Sequence, residues 1–446
     1  MDLTGRTLAS LGRDLASGAT TSVALVEAAL AAIEADDRAF TRIHAAAARA
    51  AAKACDAQRA QGLAPTPFAG APISVKDLFD VAGEPTPAGS TILSDAAPAA
   101  ADAPAVARLR AAGLIVVGRT QMSEFAFTGI GLNPHGRQPE NPRAPGRVPG
   151  GSSSGAAVSV GRGQSVAGLG TDTGGSVRVP AAFCGLTGFK PTARRITRKG
   201  TFPLSTSLDS IGPIANSVAC CRSLDAILAD DAPPVSPAIG LAGLRIGVPR
   251  EVLVEDLEAP VAAAFEAALA RLSAAGAHTL AFDFPELRRI VEVNTVAGTL
   301  ANAEAFALHR RLGLLQRRAD YDPNVLTRVL VGQRMTAADY IDLVEARAAI
   351  IAAAAARTAP FDVVVAPTAP ILAPRIDAVA EPTAFARWNG LALRNTIIVN
   401  FLDGCAISLP MATAGQPCGL MAIGPRFGDE RLLAIAEAME SVVTRP

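Results

Sequence analysis

Two serines stand in glycine-rich stretches 24 residues apart. Ser152 lies in Gly150-Gly151-Ser152-Ser153-Ser154-Gly155, and Ser176 closes Gly168-Leu169-Gly170-Thr171-Asp172-Thr173-Gly174-Gly175-Ser176. A serine hydroxyl becomes a nucleophile only when a base takes its proton, and the oxyanion it creates needs backbone N–H groups nearby. Glycine lets the backbone approach a ligand that closely. The base is expected upstream, in Gly70-Ala71-Pro72-Ile73-Ser74-Val75-Lys76-Asp77-Leu78-Phe79. The chain has only four lysines among its 41 basic residues, a ratio that coding bias toward arginine explains in the main. The chemical difference still matters, because arginine stays protonated and a buried lysine does not. Lys76 has the apolar neighbours Pro72, Ile73, Val75, Leu78 and Phe79 that would bury it.

Simpler readings of the serine stretch fare worse. A flexible linker would join polar, separable segments, whereas this one runs into Ala156-Ala157-Val158-Ser159-Val160. Gly150 and Gly155 match phosphate-loop spacing, but Ala156-Ala157 stand where lysine and a hydroxyl residue belong. Gly151-Ser152-Ser153-Ser154-Gly155 matches a nucleophile elbow, yet Pro142, Pro145 and Pro149 precede it where a central strand is required. No lysine has a serine three residues before it, which removes Ser-x-x-Lys chemistry.

The positioning elements follow from periodicity. Residues 22–62 read as one helix capped by Ser22, a helical arm (1–62) packed on the core. Ile73–Val75 and Leu114–Val117 read as buried strands joined by a helix over 105–112, and 128–151 as a long loop. A helix opens near Ala156. Residues 189–212 read as irregular with short extended pieces. A proline-rich boundary falls at 232–237. Beyond it, strands are expected at 245–248, 278–284, 361–366, 406–410 and 420–423, with helices at 260–275, through most of 285–358 and at 429–443. Alternation of this kind predicts an α/β layered fold around a buried sheet.

Composition excludes several functions. Acidic and basic residues balance at 41 each, without a basic patch, so nucleic acid is not an expected ligand. The longest apolar run, Ala348 to Ala356, is far below the roughly 18 residues of a membrane span. The opening Met1-Asp2-Leu3-Thr4-Gly5-Arg6 has no signal-peptide pattern, and six scattered cysteines read as buried thiols of a reducing, cytoplasmic compartment. His44, His135, His278 and His309 lack metal-ligand spacing, so no metal is expected.

Taken together, Gly70–Asp77, Gly150–Gly155, Gly168–Gly188, Phe189-Lys190-Pro191-Thr192 and Leu208-Asp209-Ser210-Ile211-Gly212-Pro213 resemble the amidase signature family. The resemblance implies a single amidase signature domain over 1–446, an α/β/α sandwich on a mixed, twisted sheet. Catalytic motifs would occupy 66–218, and a variable pocket half 232–446. It implies a Ser–cis-Ser–Lys triad with Ser176 as nucleophile, Ser152 as bridge after a cis peptide bond, and Lys76 as base. Thr173, Gly174, Gly175 and Ser176 would form the oxyanion hole. Substrate contacts are expected from Met122, Phe125, Gly151 and Ser153, with Phe127, Asn133, Trp388 and Arg394 as further wall residues.

The implied activity is hydrolysis of a small carboxylic amide to acid plus ammonia or amine, without a cofactor. The alternative is the glutaminase component of a tRNA-dependent amidotransferase. A homodimer is one expected assembly. Asp172 reads as half of a structural pair with Arg178 or as an orienter of loop N–H groups. Asp77 and Cys184 read as structural, Ser153 and Ser154 as loop donors, and His135 as solvent-exposed.

Overall fold

Eleven strands form one sheet in the computed structural model, which describes residues 1–231 and 239–444. They are β1 (Phe40–Ile43), β2 (Pro72–Lys76), β3 (Ile115–Thr120), β4 (Ala167–Asp172), β5 (Thr187–Lys190), β6 (Ser210–Ala215), β7 (Arg245–Pro249), β8 (His278–Phe282), β9 (Val363–Pro367), β10 (Cys405–Pro410) and β11 (Gly419–Gly424). Their order is β1-β3-β2-β4-β6-β5-β10-β11-β9-β7-β8. The sheet is mixed: β3, β2 and β4 are parallel, as are β9, β7 and β8, and the middle of the sheet is antiparallel. Strands from the two halves of the chain meet where β5 pairs with β10.

β2 and β4 are buried at every residue, as central strands covered on both faces must be. The glycines of β4 have a packing reason. A Cβ on Gly168 would lie 2.9 Å from the Ala156 Cβ, and one on Gly170 would lie 2.8 Å from the Ser153 hydroxyl. Their absence lets the helix Ser154–Gly161 settle directly on the sheet beside β2 and β4. The closing helix, Asp429–Val443, packs on β10 and β11.

The long helix expected over 22–62 is two helices with a strand between them. The first, Ser22–Ala35, ends at Asp36 in extended conformation, and its cap is Thr21, whose side chain accepts from Ala24 N. β1 then pairs antiparallel with β3, before a second helix, Ala45–Ala60. Tertiary pairing with an available sheet edge overrides helical periodicity here. The irregular 189–212 segment is bounded by β5 and β6, which pair with each other. The loop 128–151 holds no helix or strand, only an isolated bridge from Arg147 to Arg375. The proposed boundary at 232–237 lies outside the described residues.

Candidate active site

Lys76 ends β2 and is fully buried. Its Nζ donates to Ser152 Oγ at 2.7 Å and to Thr171 Oγ1 at 2.8 Å. Thr171 belongs to β4, the parallel neighbour of β2, so adjacent strands bring the amine and its second partner together. Burial pushes the Lys76 amine down to about 7, against the pull of Asp172 and Asp209.

Ser152 sits at the end of the long loop, and the Gly151–Ser152 peptide bond is cis. Cis geometry is rare away from proline. The loop is fixed on both sides: Gly151 N donates to Gly129 O at 2.8 Å, and Ser123 N donates to Ser152 O at 3.1 Å. Ser153 N donates to Ser176 O at 3.2 Å, joining the two serine loops through their main chains. Ser176 Oγ itself takes no hydrogen bond among the described residues, leaving the hydroxyl available to a ligand. Such contacts commonly tighten only when substrate binds.

The loop after β4 is organised by one carboxylate. Asp172 accepts from Gly175 N at 2.8 Å and Val177 N at 3.2 Å, and from Arg178 Nε and Nη2 at 3.0 and 2.8 Å. Asn400 Nδ2 adds a contact at 3.0 Å. Burial opposes the charge, yet the Arg178 guanidinium holds Asp172 down at about 2. Both expected roles of Asp172, pairing with Arg178 and ordering loop N–H groups, are thus carried by the same side chain. Asp172 also occupies the Gly175 N–H. Of the four residues expected to supply oxyanion donors, Thr173, Gly174 and Ser176 keep N–H groups unpartnered among the described residues.

Gly175 adopts φ 137°, and a Cβ there would stand 2.1 Å from Thr396 Oγ1. That hydroxyl donates to Gly174 O at 2.6 Å, which pins the loop from the second half of the chain. Thr173 Oγ1 donates to Asp209 Oδ1 at 2.5 Å. Asp209 also accepts from Leu204 N and Ser205 N, and burial raises it to about 6.

A cavity of ≈ 60 Å³ opens in front of Ser176, Thr173 and Gly174. Its remaining wall is mostly apolar, with Phe127, Leu204, Ile397 and Phe401, and it includes Thr128 and Arg328. Of the wall residues expected from sequence, Phe127 is the one that lines it. Met122 is buried, its carbonyl accepting from Asn133 Nδ2, which also donates to Gly89 O. Phe125 is buried against Phe202, His309 and Tyr321. Gly151 and Ser153 hold the serine loop from behind, and the Ser153 hydroxyl donates to Thr171 O. Trp388 packs in a separate apolar cluster, and Arg394 donates to Glu255 O. Aromatic and amide side chains near a site are more often consumed by packing.

His135 is only partly exposed, not fully solvated as expected. Its Nε2 lies 3.0 Å from Glu124 Oε1. Asp77 pairs with buried Arg119 at 2.9 Å, and Cys184 is fully buried. Thr171, Thr396 and Arg328 carry no sequence signal. One threonine or arginine among many is distinguished only by where the fold puts it.

No helix of the described residues is long and apolar enough to cross a membrane. The chain is 37% identical to a 2-amino-5-chloromuconic acid deaminase of Comamonas testosteroni, covering 89% of this chain and 86% of that protein. It is 36% identical to a glutamyl-tRNA(Gln) amidotransferase subunit of Roseiflexus castenholzii, covering 98% and 95%. A crystal structure described as an amidase superposes with a TM-score of 0.89 at 34% identity, over 98% of this chain and 100% of that one. The amidase family profile matches residues 24–433. This chain, with its buried lysine and paired serine loops on a mixed sheet, therefore belongs to the amidase family, hydrolases of non-peptide carbon–nitrogen bonds.

Proposed function

We propose that this enzyme hydrolyses a small carboxylic amide through an acyl-enzyme on Ser176, with Ser152 and Lys76 relaying protons. The observation that supports it is the 2.7 Å contact between a desolvated Lys76 amine and Ser152 Oγ, in a loop bonded to that of Ser176. With the amine neutral, its lone pair takes the Ser152 proton while Ser152 takes that of Ser176. Ser176 Oγ bonds to the amide carbon, and the carbonyl electron pair moves onto oxygen. The N–H groups left free in the loop from Thr173 to Ser176 meet that oxyanion. When the carbonyl re-forms, the C–N bond breaks, and the leaving nitrogen takes the proton returned from Lys76 through Ser152. Water repeats the sequence to release the acid.

Turnover of a panel of primary amides and anilides, with mass spectrometry of trapped enzyme, tests this reading. An acyl group on Ser176 is expected, and its appearance elsewhere would overturn it. A cytoplasmic setting belongs to the same reading, since all six cysteines are buried and unpaired. So does a homodimer, which sedimentation would check.

The similarity to glutamyl-tRNA(Gln) amidotransferase components supports a second reading, a glutaminase that works within a complex. Glutaminase activity appearing only when a partner protein is added would favour it. The cavity argues the other way, because no Asp or Glu lines it to meet the ammonium of glutamine.

A further inference from the structure

The cavity facing Ser176 contains a cation and no counter-charge. Arg328 reaches it from the helix Pro323–Arg334. Its guanidinium carbon lies 5.0 Å from the centre of the Phe127 ring. Its Nε is sealed from solvent without a hydrogen-bond partner, and no carboxylate of the described residues pairs with it. Thr128, on the same wall, is 2% exposed, and its hydroxyl is also unpartnered. These two groups are held together by Glu124, which accepts from Asp322 N at 2.8 Å. That bond ties the segment bearing Phe127 and Thr128 to the start of the Arg328 helix.

Buried polar groups in folded proteins are normally paired, and the half-buried Arg328 guanidinium has no carboxylate to pair with among the described residues. Two such groups facing one cavity point to a partner that arrives with the ligand. A guanidinium fork matches the two oxygens of a carboxylate, and stacking on Phe127 leaves its edge free to donate. The absence of acidic residues from the wall disfavours a substrate that also carries an ammonium group. A volume of ≈ 60 Å³ admits roughly four to six water-sized groups.

We propose that Arg328, with Thr128 beside it, binds a carboxylate on the substrate, so that the preferred substrates are small monoamides of dicarboxylic acids lacking an ammonium group. This rests on the amidase reading above.

The test compares kcat/KM for succinamate with that for butyramide, a neutral amide of similar size, in the wild type and in Arg328→Gln and Arg328→Lys. A preference for succinamate of at least tenfold is expected in the wild type, collapsing in Arg328→Gln and partly restored in Arg328→Lys. An equal ratio in the wild type and Arg328→Gln would overturn the proposal. Calorimetric binding of succinate to Ser176→Ala, with and without Arg328→Gln, reads the same contact without turnover. Binding that does not depend on Arg328, or no binding at all, would also overturn it. Hydrolysis of neutral amides without any anion preference would sink this inference and spare the amidase reading. Succinate held by Arg328 in an enzyme that cleaves no amide would do the reverse.

Discussion

Lys76 Nζ stands 2.7 Å from Ser152 Oγ, with both residues shut away from solvent. A lysine in that position carries a cost, because the ammonium form has lost its water. That cost suits the residue to the base role proposed for it. Lowered to about 7, the amine is largely neutral just above that pH and can accept a proton that an exposed lysine would refuse.

Activity should follow the protonation of this amine. Below about 7, Lys76 gains a proton and the relay loses its acceptor. The expected kcat/KM falls about tenfold for each further pH unit, provided the substrate does not titrate there. A profile flat to pH 5 would contradict the assignment of Lys76 as base.

The same shift has a signature in stability. Between about 7 and 10.5 the unfolded chain holds a proton on Lys76 that the folded chain does not, so stability from this group rises with pH. Below that window the penalty is full, on the order of 5 kcal/mol. Lys76→Met should therefore gain stability relative to the wild type at pH 6 and lose that advantage by pH 10. Urea unfolding at the two pH values reads the difference, and a pH-independent difference would refute it.

Ser176→Ala and Ser152→Ala should each reduce turnover by several orders of magnitude while leaving the melting temperature within a few degrees. Neither hydroxyl supports the core, so a large loss of stability would indicate a structural role instead. Retained hydrolysis by Ser176→Ala would remove it as nucleophile.

Thr171 acts through Lys76, to which it offers a hydroxyl at 2.8 Å. Thr171→Val keeps the shape and removes the acceptor. The ammonium loses a stabilising partner, so the acid limb of the pH profile should move to lower pH, with kcat reduced roughly tenfold and KM little changed. Thr171→Ser should restore the limb.

Asp172→Asn leaves Arg178 buried with its charge unpaired. We expect a loss of about 3–5 kcal/mol in unfolding free energy, together with loss of activity as the Gly175 and Val177 anchors weaken. In the wild type, the stabilisation from Asp172 is present above its ordinary value of 3.8 and is lost as pH falls through about 2.

Much of this enzyme is legible in its residues read in order. The glycine-serine stretches, the rare lysine between apolar neighbours and the strand–helix alternation are local patterns, and locality is what spacing and periodicity report. They determine the family, the layered sheet and the identities of Lys76, Ser152 and Ser176 as the residues to watch. The tertiary structure decided what those patterns cannot hold. β1 exists because the edge of β3 is there to receive it. Thr171 meets Lys76 because β2 and β4 are parallel neighbours. Gly175 is set by Thr396, more than two hundred residues away. Arg328 is one arginine among many until the fold sets it on the cavity wall with its Nε shut off and unpartnered. Burial and pairing belong to the assembled chain, and they decide which common side chains stand ready for the roles proposed here.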